Sequence, residues 1–235
     1  MTVAEASSHF LMWPRGNDEW EDSLHALLPH AEALWSRVQF TEAPRTHGST
    51  RVCAVTGILE GDGASTTAAA LAYYLAHGLG VRTLLVEADL RNPSLRRLGV
   101  VPRCPGLAGT LQREVRLRHV VFELPRVGFF VLPAGRALPS PTSLVNQGLI
   151  SRMLSALGPH FEAIVLDCPP LNMAPEARFL IGPADTTIPV LRSGRVLPEN
   201  AAYWFGKVTE YGGSIGAVCL NGVESVLPTK LRSCL

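Results

Sequence analysis

The chain has 235 residues, 47% apolar and 17% charged, with a formal net charge of +1. That length and composition support one large domain with a sizeable buried core and exclude wholesale disorder. The near-neutral charge excludes the clustered basic excess of a phosphate-backbone binder, so no nucleic-acid partner is expected.

Only two of the 21 basic residues are lysines, Lys207 and Lys230, which excludes any chemistry needing a lysine in the first two hundred residues. Five scattered cysteines without a CxxC pair argue against a zinc site or a disulfide framework and point to a reducing cytosol. No basic segment leads into an apolar run at the N-terminus, and no stretch approaches the ~18 apolar residues of a membrane-spanning helix. A soluble, cytoplasmic chain without a membrane span of its own is expected.

From Asn17 to Phe40 the sequence reads as two helical segments, NDEWEDSLHALL and HAEALWSRVQF, broken at Pro29. They form a helical N-terminal extension over residues 1–45, and TEAPRTHGST supplies the turn that follows. Residues 46–235 read as one α/β domain. RVCAVTG is a short apolar strand, GILEGDGAST a glycine-bearing loop, and TAAALAYYLAHGLG a helix with a glycine stop. TLLVEAD, GFFVLPAG, AIVLDCPP, DTTIPVLRSG and SIGAVCLNG are further apolar strands. SLVNQGLISRMLSALG, PEARFLIG and LPENAAYWFGKVTEYGG are the intervening helices, and RALPSPTS is a surface connection. Continuous apolar strands separated by helices predict a mostly parallel sheet covered by helices on both faces.

The strand–glycine loop–helix unit from Arg51 to Gly80 carries the main functional signal. In such a unit, successive backbone N–H groups converge on a phosphate and the helix N-terminus adds a favourable dipole. Gly61 and Gly63 let the backbone approach the anion, and Ser65 stands where a hydroxyl would bind Mg²⁺. Elsewhere, Tyr73 and Tyr74 read as packing residues, Asp185 as a turn residue and Cys168 as a buried, inert thiol. Arg113, Arg116 and Arg118 read as a solvated basic face.

GILEGDGASTTAAALA resembles the nucleotide-binding loop of the bacterial tyrosine kinases of capsule and exopolysaccharide synthesis, the CpsD/CapB type of the MinD/ParA-like P-loop superfamily. The family pattern PGEGKST is met by Glu60, Gly61, Asp62, Gly63, Ala64, Ser65 and Thr66, with Ala64 at the lysine position. Removing one preorganised charge-stabilising group commonly costs ~10²–10³ in rate. Arg91 is a candidate for partial substitution, although its planar fork differs from a point charge. LLVEADLRNPSLRRLGV is similar to DADLRxPxLHRLF, with Glu87 for the first aspartate and Asp89 keeping the second. CPGLAGTL, FFVLPAGRALPSPTSLV, AIVLDCPP with Asp167, ADTTIPVLRSG and VCLNGV with Asn221 continue the similarity, which runs from about Ala31 to Val223.

The resemblance implies a P-loop fold of the MinD/CpsD kind. It implies catalytic roles for Glu87, Asp89 and Asp167, and nucleotide contacts from Gly61, Asp62, Gly63, Ala64, Ser65, Thr66 and Asn221, the last facing adenine. Mg²⁺ would lie on Ser65, Asp89 and Asp167, with ATP or ADP as the ligand. The implied partner is a membrane polysaccharide co-polymerase or chain-length regulator, which would hold the chain at the inner face of the cell membrane. Association with further copies of the chain is also implied.

Two more departures bear on function. The family's E-x-x-R-x-x-R helix motif is met by Glu32, Trp35 and Val38, and the last tyrosine is Tyr211, leaving the tail ESVLPTKLRSCL without one. The leading expectation is therefore a degenerate kinase-like regulator. A working ATPase or tyrosine kinase with a non-standard charge donor is the first alternative. A MinD/ParA-like positioning protein is the second, against which DLRNP and LPAG count.

Overall fold

A computed structural model describes residues 11–12, 18–38, 49–95 and 100–223. The tyrosine-free tail and Lys230 lie outside these residues. In chain order the elements are β1 (Leu11–Met12), α1 (Asp18–Trp35), β2 (Arg51–Gly57), α2 (Ala64–Tyr73), β3 (Thr83–Glu87), α3 (Gly106–Leu111), β4 (Phe122–Leu124) and β5 (Phe129–Leu132). After them come α4 (Gln147–Leu157), β6 (Ala163–Cys168), α5 (Ala177–Ile181), β7 (Thr186–Arg192), α6 (Pro198–Glu210) and β8 (Cys219–Asn221).

The eight strands form one sheet in the order β1-β4-β5-β3-β6-β2-β7-β8. β4 and β5 pair antiparallel, and every other neighbouring pair is parallel. β2, β3 and β6 are buried almost throughout, as apolar strands covered on both faces must be. Two apolar clusters fill the two faces of the sheet. One gathers α4, α5 and the alternate side chains Val52, Ala54, Leu84, Val86, Ile164 and Leu166. The other gathers α1, α2 and Cys53, Val55, Leu85, Val165 and Ile188.

α1 continues through Pro29 instead of breaking there. The proline removes one backbone donor, at a cost of ~3 kcal/mol in a helix interior. Its ring is exposed, while Leu24 and Ala31 are buried and Leu27, Leu28 and Leu34 pack beside them. An apolar stripe that runs across the proline on one face keeps both halves seated, and packing overrides propensity. Trp35 and Val38, at the two arginine positions of the family motif, are half-buried against the same cluster.

α2 packs through its smallest side chains. Ala68, Ala69, Ala70 and Ala72 are buried with Leu71, so its backbone comes close to the sheet. Gly63 precedes it with φ 99°, and a π-helical turn over Tyr74–Gly78 ends it. Tyr73 is buried and stacks on His77 with ring centroids 5.0 Å apart.

Candidate functional site

The order β3-β6-β2-β7 brings four connections to one edge of the sheet. The C-terminal ends of parallel strands are where open α/β sheets bind ligands. From β2 the chain turns through residues 58–63 into α2. Gly57 sits so tightly that a Cβ there would meet Leu59 O at 2.9 Å. Gly61 and Gly63 take φ of 80° and 99°, values that favour glycine. A side chain at Gly63 would overlap the Asn221 amide as well. Asp62 turns inward, is buried, and accepts the Leu59 N–H on Oδ2 at 2.8 Å. Thr67 closes the first helical turn by donating its N–H and its hydroxyl to Gly63 O, each at 2.9 Å.

Gly57 and residues 59–66 line a cleft of about 360 Å³ together with Asp89, Asn92, Ser94, Cys168 and Pro170. Asp167, at the end of β6, is 4% exposed, and its Oδ1 has no hydrogen-bond partner. Burial pushes its carboxyl well above the usual carboxylate range. A Ser65 hydrogen bond opposes that rise, while the nearby charges of Glu87 and Asp89 add to it. Asp89 is half-buried and accepts the N–H groups of Arg91 and Asn92 on Oδ1 at 2.9 and 3.0 Å.

A glycine cradle at a helix N-terminus, a serine hydroxyl and a buried carboxylate oxygen without a partner form a donor set that fits a phosphate carrying Mg²⁺. No cluster of three or more His, Cys, Asp or Glu side chains suited to a metal occurs among the described residues.

Two of the expected site residues have other work. Glu87, expected to act on the metal or the attacking group, is buried, and donors of the chain itself occupy both of its oxygens. Oε1 accepts Ser94 N, Leu95 N and the Ser94 hydroxyl at 2.5, 2.8 and 3.2 Å, and Oε2 accepts Ala134 N at 2.9 Å. The extra methylene relative to aspartate reaches past the cleft and ties the β3 and β5 loops together. Asn221, expected to face adenine, donates from Nδ2 to Asp62 O at 3.0 Å and accepts Gly222 N on Oδ1 at 2.8 Å. Its amide braces the phosphate loop. A second cavity of about 370 Å³, between α1, α2 and β8, lies on the other side of that amide.

Arg91 does not stand in for the missing lysine. Nε and Nη2 grip Glu176 at 2.6 and 3.0 Å, and Thr142 donates to the same carboxylate at 2.7 Å. Asp185 lies in the bend that leads into β7, where it is fully buried and accepts Val52 N on Oδ2 at 2.8 Å, so the turn residue also clips β2. Burial raises the Cys168 thiol well above its usual range. Arg113, Arg116 and Arg118 are exposed.

Arg195, in the connection after β7, was not legible as a site residue from composition or motif. Its Nη1 donates to Glu60 O at 3.0 Å and pairs with Asp62 Oδ1 at 3.4 Å. The available signal was its place just past the C-terminal end of a parallel strand.

Over 183 residues, spanning 76% of this chain and 77% of the relative, the sequence is 28% identical to the tyrosine-protein kinase CpsD of Streptococcus agalactiae serotype III. The chain is similar in sequence to CpsD-type tyrosine kinases. No protein-family model matches it. Among solved structures similar to it, the VpsO kinase domain superposes with a TM-score of 0.72 at 25% identity, covering 88% of this chain and 97% of that domain. The septum site-determining protein MinD of Pyrococcus horikoshii, in complex with Mg-ADP, shares the fold. Its TM-score is 0.64 at 19% identity, with 79% of this chain and 76% of that one covered. Like these proteins, the chain is a mostly parallel sheet with helices on both faces. Among the described residues, no helix is long and apolar enough to cross a membrane.

Proposed function

We propose that this chain is a kinase-like nucleotide-binding protein of capsule or exopolysaccharide synthesis. In this reading it is catalytically impaired and acts by regulating a membrane polysaccharide co-polymerase at the inner face of the cell membrane. The observation that carries the reading is Ala64 at the head of α2. The cradle around it keeps its glycines, Ser65 and Asp167, and the lysine that would stabilise charge in phosphoryl transfer is gone. Lys207, the one lysine among the described residues, is paired with Glu210 on α6 at 2.7 Å.

Within this reading Ser65 and Asp167, with Asp89 beside them, would hold Mg²⁺, which would supply Lewis-acid stabilisation of phosphate charge when bound. The loop N–H groups orient the phosphates, and Asn221 keeps the loop in shape. Glu87 fixes the neighbouring loops. Such a site binds and positions nucleotide but lacks the loop lysine that would follow the transferred group through the reaction, so affinity outlasts turnover.

Titration with labelled Mg-ATP, a turnover assay and an Ala64→Lys variant test this. Micromolar binding with negligible hydrolysis and phosphorylation is expected, with turnover rising ~10²-fold when the lysine is restored. Turnover by the native chain at ordinary kinase rates would sink the impaired reading. Absence of binding even in Ala64→Lys would leave a scaffold without nucleotide. Co-purification with a polysaccharide co-polymerase is expected, and its failure in cells that make the polymer would remove the regulatory half of the proposal.

A further inference from the structure

β7 lies beside β2 in the sheet, so the connection leaving β7 runs next to the phosphate loop leaving β2. Ser193 N donates to Asn221 O at 2.8 Å, and Arg195 N donates back to Arg192 O at 3.2 Å, which folds this turn over the edge of the sheet. Arg195 therefore stands at the rim of the loop. Besides its bonds to Glu60 O and Asp62 Oδ1, its Nη1 is the atom that a Cβ on Gly61 would meet, at 3.4 Å. The side chain is 41% exposed, and its Nε and Nη2 bond no protein atom among the described residues.

The electrostatics of the loop make this position consequential. Asp62 is buried beneath the cradle, and a carboxylate there opposes any anion seated above it. The position that aligns with the family's loop lysine is Ala64 here, so the loop itself carries no lysine to offset that charge. An arginine has a planar fork that bonds phosphate oxygens in pairs, and two-thirds of the Arg195 fork remains open.

We propose that Arg195 is the phosphate-binding cation of this loop. From the β7 side it binds the terminal phosphate oxygens of a nucleoside di- or triphosphate seated over residues 61–65, the task that Ala64 cannot perform. The assignment rests on the nucleotide-binding reading above and adds the residue that makes a lysine-free loop sufficient for it.

Calorimetric titration of the full chain with Mg-ADP tests the assignment without relying on turnover. Arg195→Ala is expected to weaken binding at least tenfold. Arg195→Gln keeps a donor for Glu60 O, so the loop stays tied, and should lose nearly as much because the charge is gone. Adding Ala64→Lys to Arg195→Ala should return most of the affinity, an outcome that a purely structural arginine would not give. The dependence of affinity on salt should flatten in Arg195→Gln.

Binding by Arg195→Ala and Arg195→Gln within twofold of wild type would overturn the assignment. So would full recovery in an Arg195→Ala/Asp62→Asn double variant, since Arg195 would then merely screen Asp62. If the wild-type chain itself fails to bind Mg-ADP, the nucleotide reading falls along with the assignment, whereas binding that survives loss of Arg195 removes the assignment alone.

Discussion

Arg91 and Glu176 form a two-pronged ion pair, Nε to Oε1 at 2.6 Å and Nη2 to Oε2 at 3.0 Å, that fastens the loop after β3 to the start of α5. Glu176 is 2% exposed and Arg91 28% exposed, so the pair is sheltered on the carboxylate side and partly screened on the other. Burial alone would raise the Glu176 carboxyl, but hydrogen bonds from Arg91 and Thr142 outweigh it and hold the group below its ordinary value. A depressed carboxylate stabilises the fold above its unfolded value of 4.5 and loses that contribution as pH falls through the lower folded value. Glu176→Gln is expected to cost about 2 kcal/mol at neutral pH, discounted for the exposure of Arg91. Urea denaturation across the acid range should show the gap between wild type and variant closing below pH 4.5. A gap that stays constant would mean the pair contributes nothing through charge.

Asp167 has the opposite sign. Its carboxyl is raised well above 3.8, so the unfolded chain ionises first and the fold grows less stable as pH climbs from that value toward the folded one. Asp167→Asn removes this penalty and is expected to stabilise the metal-free protein at pH 7 by about 1–2 kcal/mol. The same variant should lose the Mg²⁺ dependence of nucleotide binding. A destabilised Asp167→Asn in thermal melts would contradict this account of the site.

Glu87 is a strut in the loops around the cleft. Glu87→Ala strands the N–H groups of Ser94, Leu95 and Ala134, and a loss of about 3 kcal/mol is expected in equilibrium unfolding. Glu87→Gln keeps acceptor capacity on one oxygen and should lose less. Equal losses in the two variants would argue that shape, not hydrogen bonding, matters there.

Gly63→Ala combines a strained φ of 99° with overlap of the Asn221 amide. A cost of about 1–3 kcal/mol is expected, with loop amide protons exchanging faster. Pairing it with Asn221→Ala should recover the steric part and leave the backbone part. Failure of the double variant to improve on the single one would rule out the contact with Asn221 as a cause.

Much of the sheet is legible because its strands are apolar runs. RVCAVTG coincides with β2 from Arg51 to Gly57, and TLLVE, AIVLDC and TTIPVLR are β3, β6 and β7. GFFVLPAG contains β5, but its antiparallel partner β4 escapes such reading, because β4 is three residues long and Pro125 follows it at once. α3 hides for a similar reason: GLAGTL is six residues with two glycines, too short for a helical period to show. Pro29 misleads because the stripe from Leu24 to Leu34 decides the helix through its partners, which no local rule contains. At the site, motif reading finds the glycines, Ser65, Asp89 and Asp167, which line or adjoin the cleft. It cannot tell that Glu87 and Asn221 turn toward the chain itself, since their roles depend on loops from β5 and β2 meeting in space. Arg195 is missed because its neighbour in the fold is 133 residues away in the chain.

The alanine face of α2 sets how much the cradle can be disturbed from a distance. With Ala68, Ala69, Ala70 and Ala72 buried beside Leu71, that face is mostly short side chains with little freedom to absorb added volume. An extra methyl or two on that face must lift the whole rod, and the rod begins at the loop. A substitution well behind the cleft would therefore shift every amide that a phosphate meets by the same fraction of an ångström. The smallest side chains in the helix act as its gauge blocks, and the aim of the binding loop is only as true as they are small.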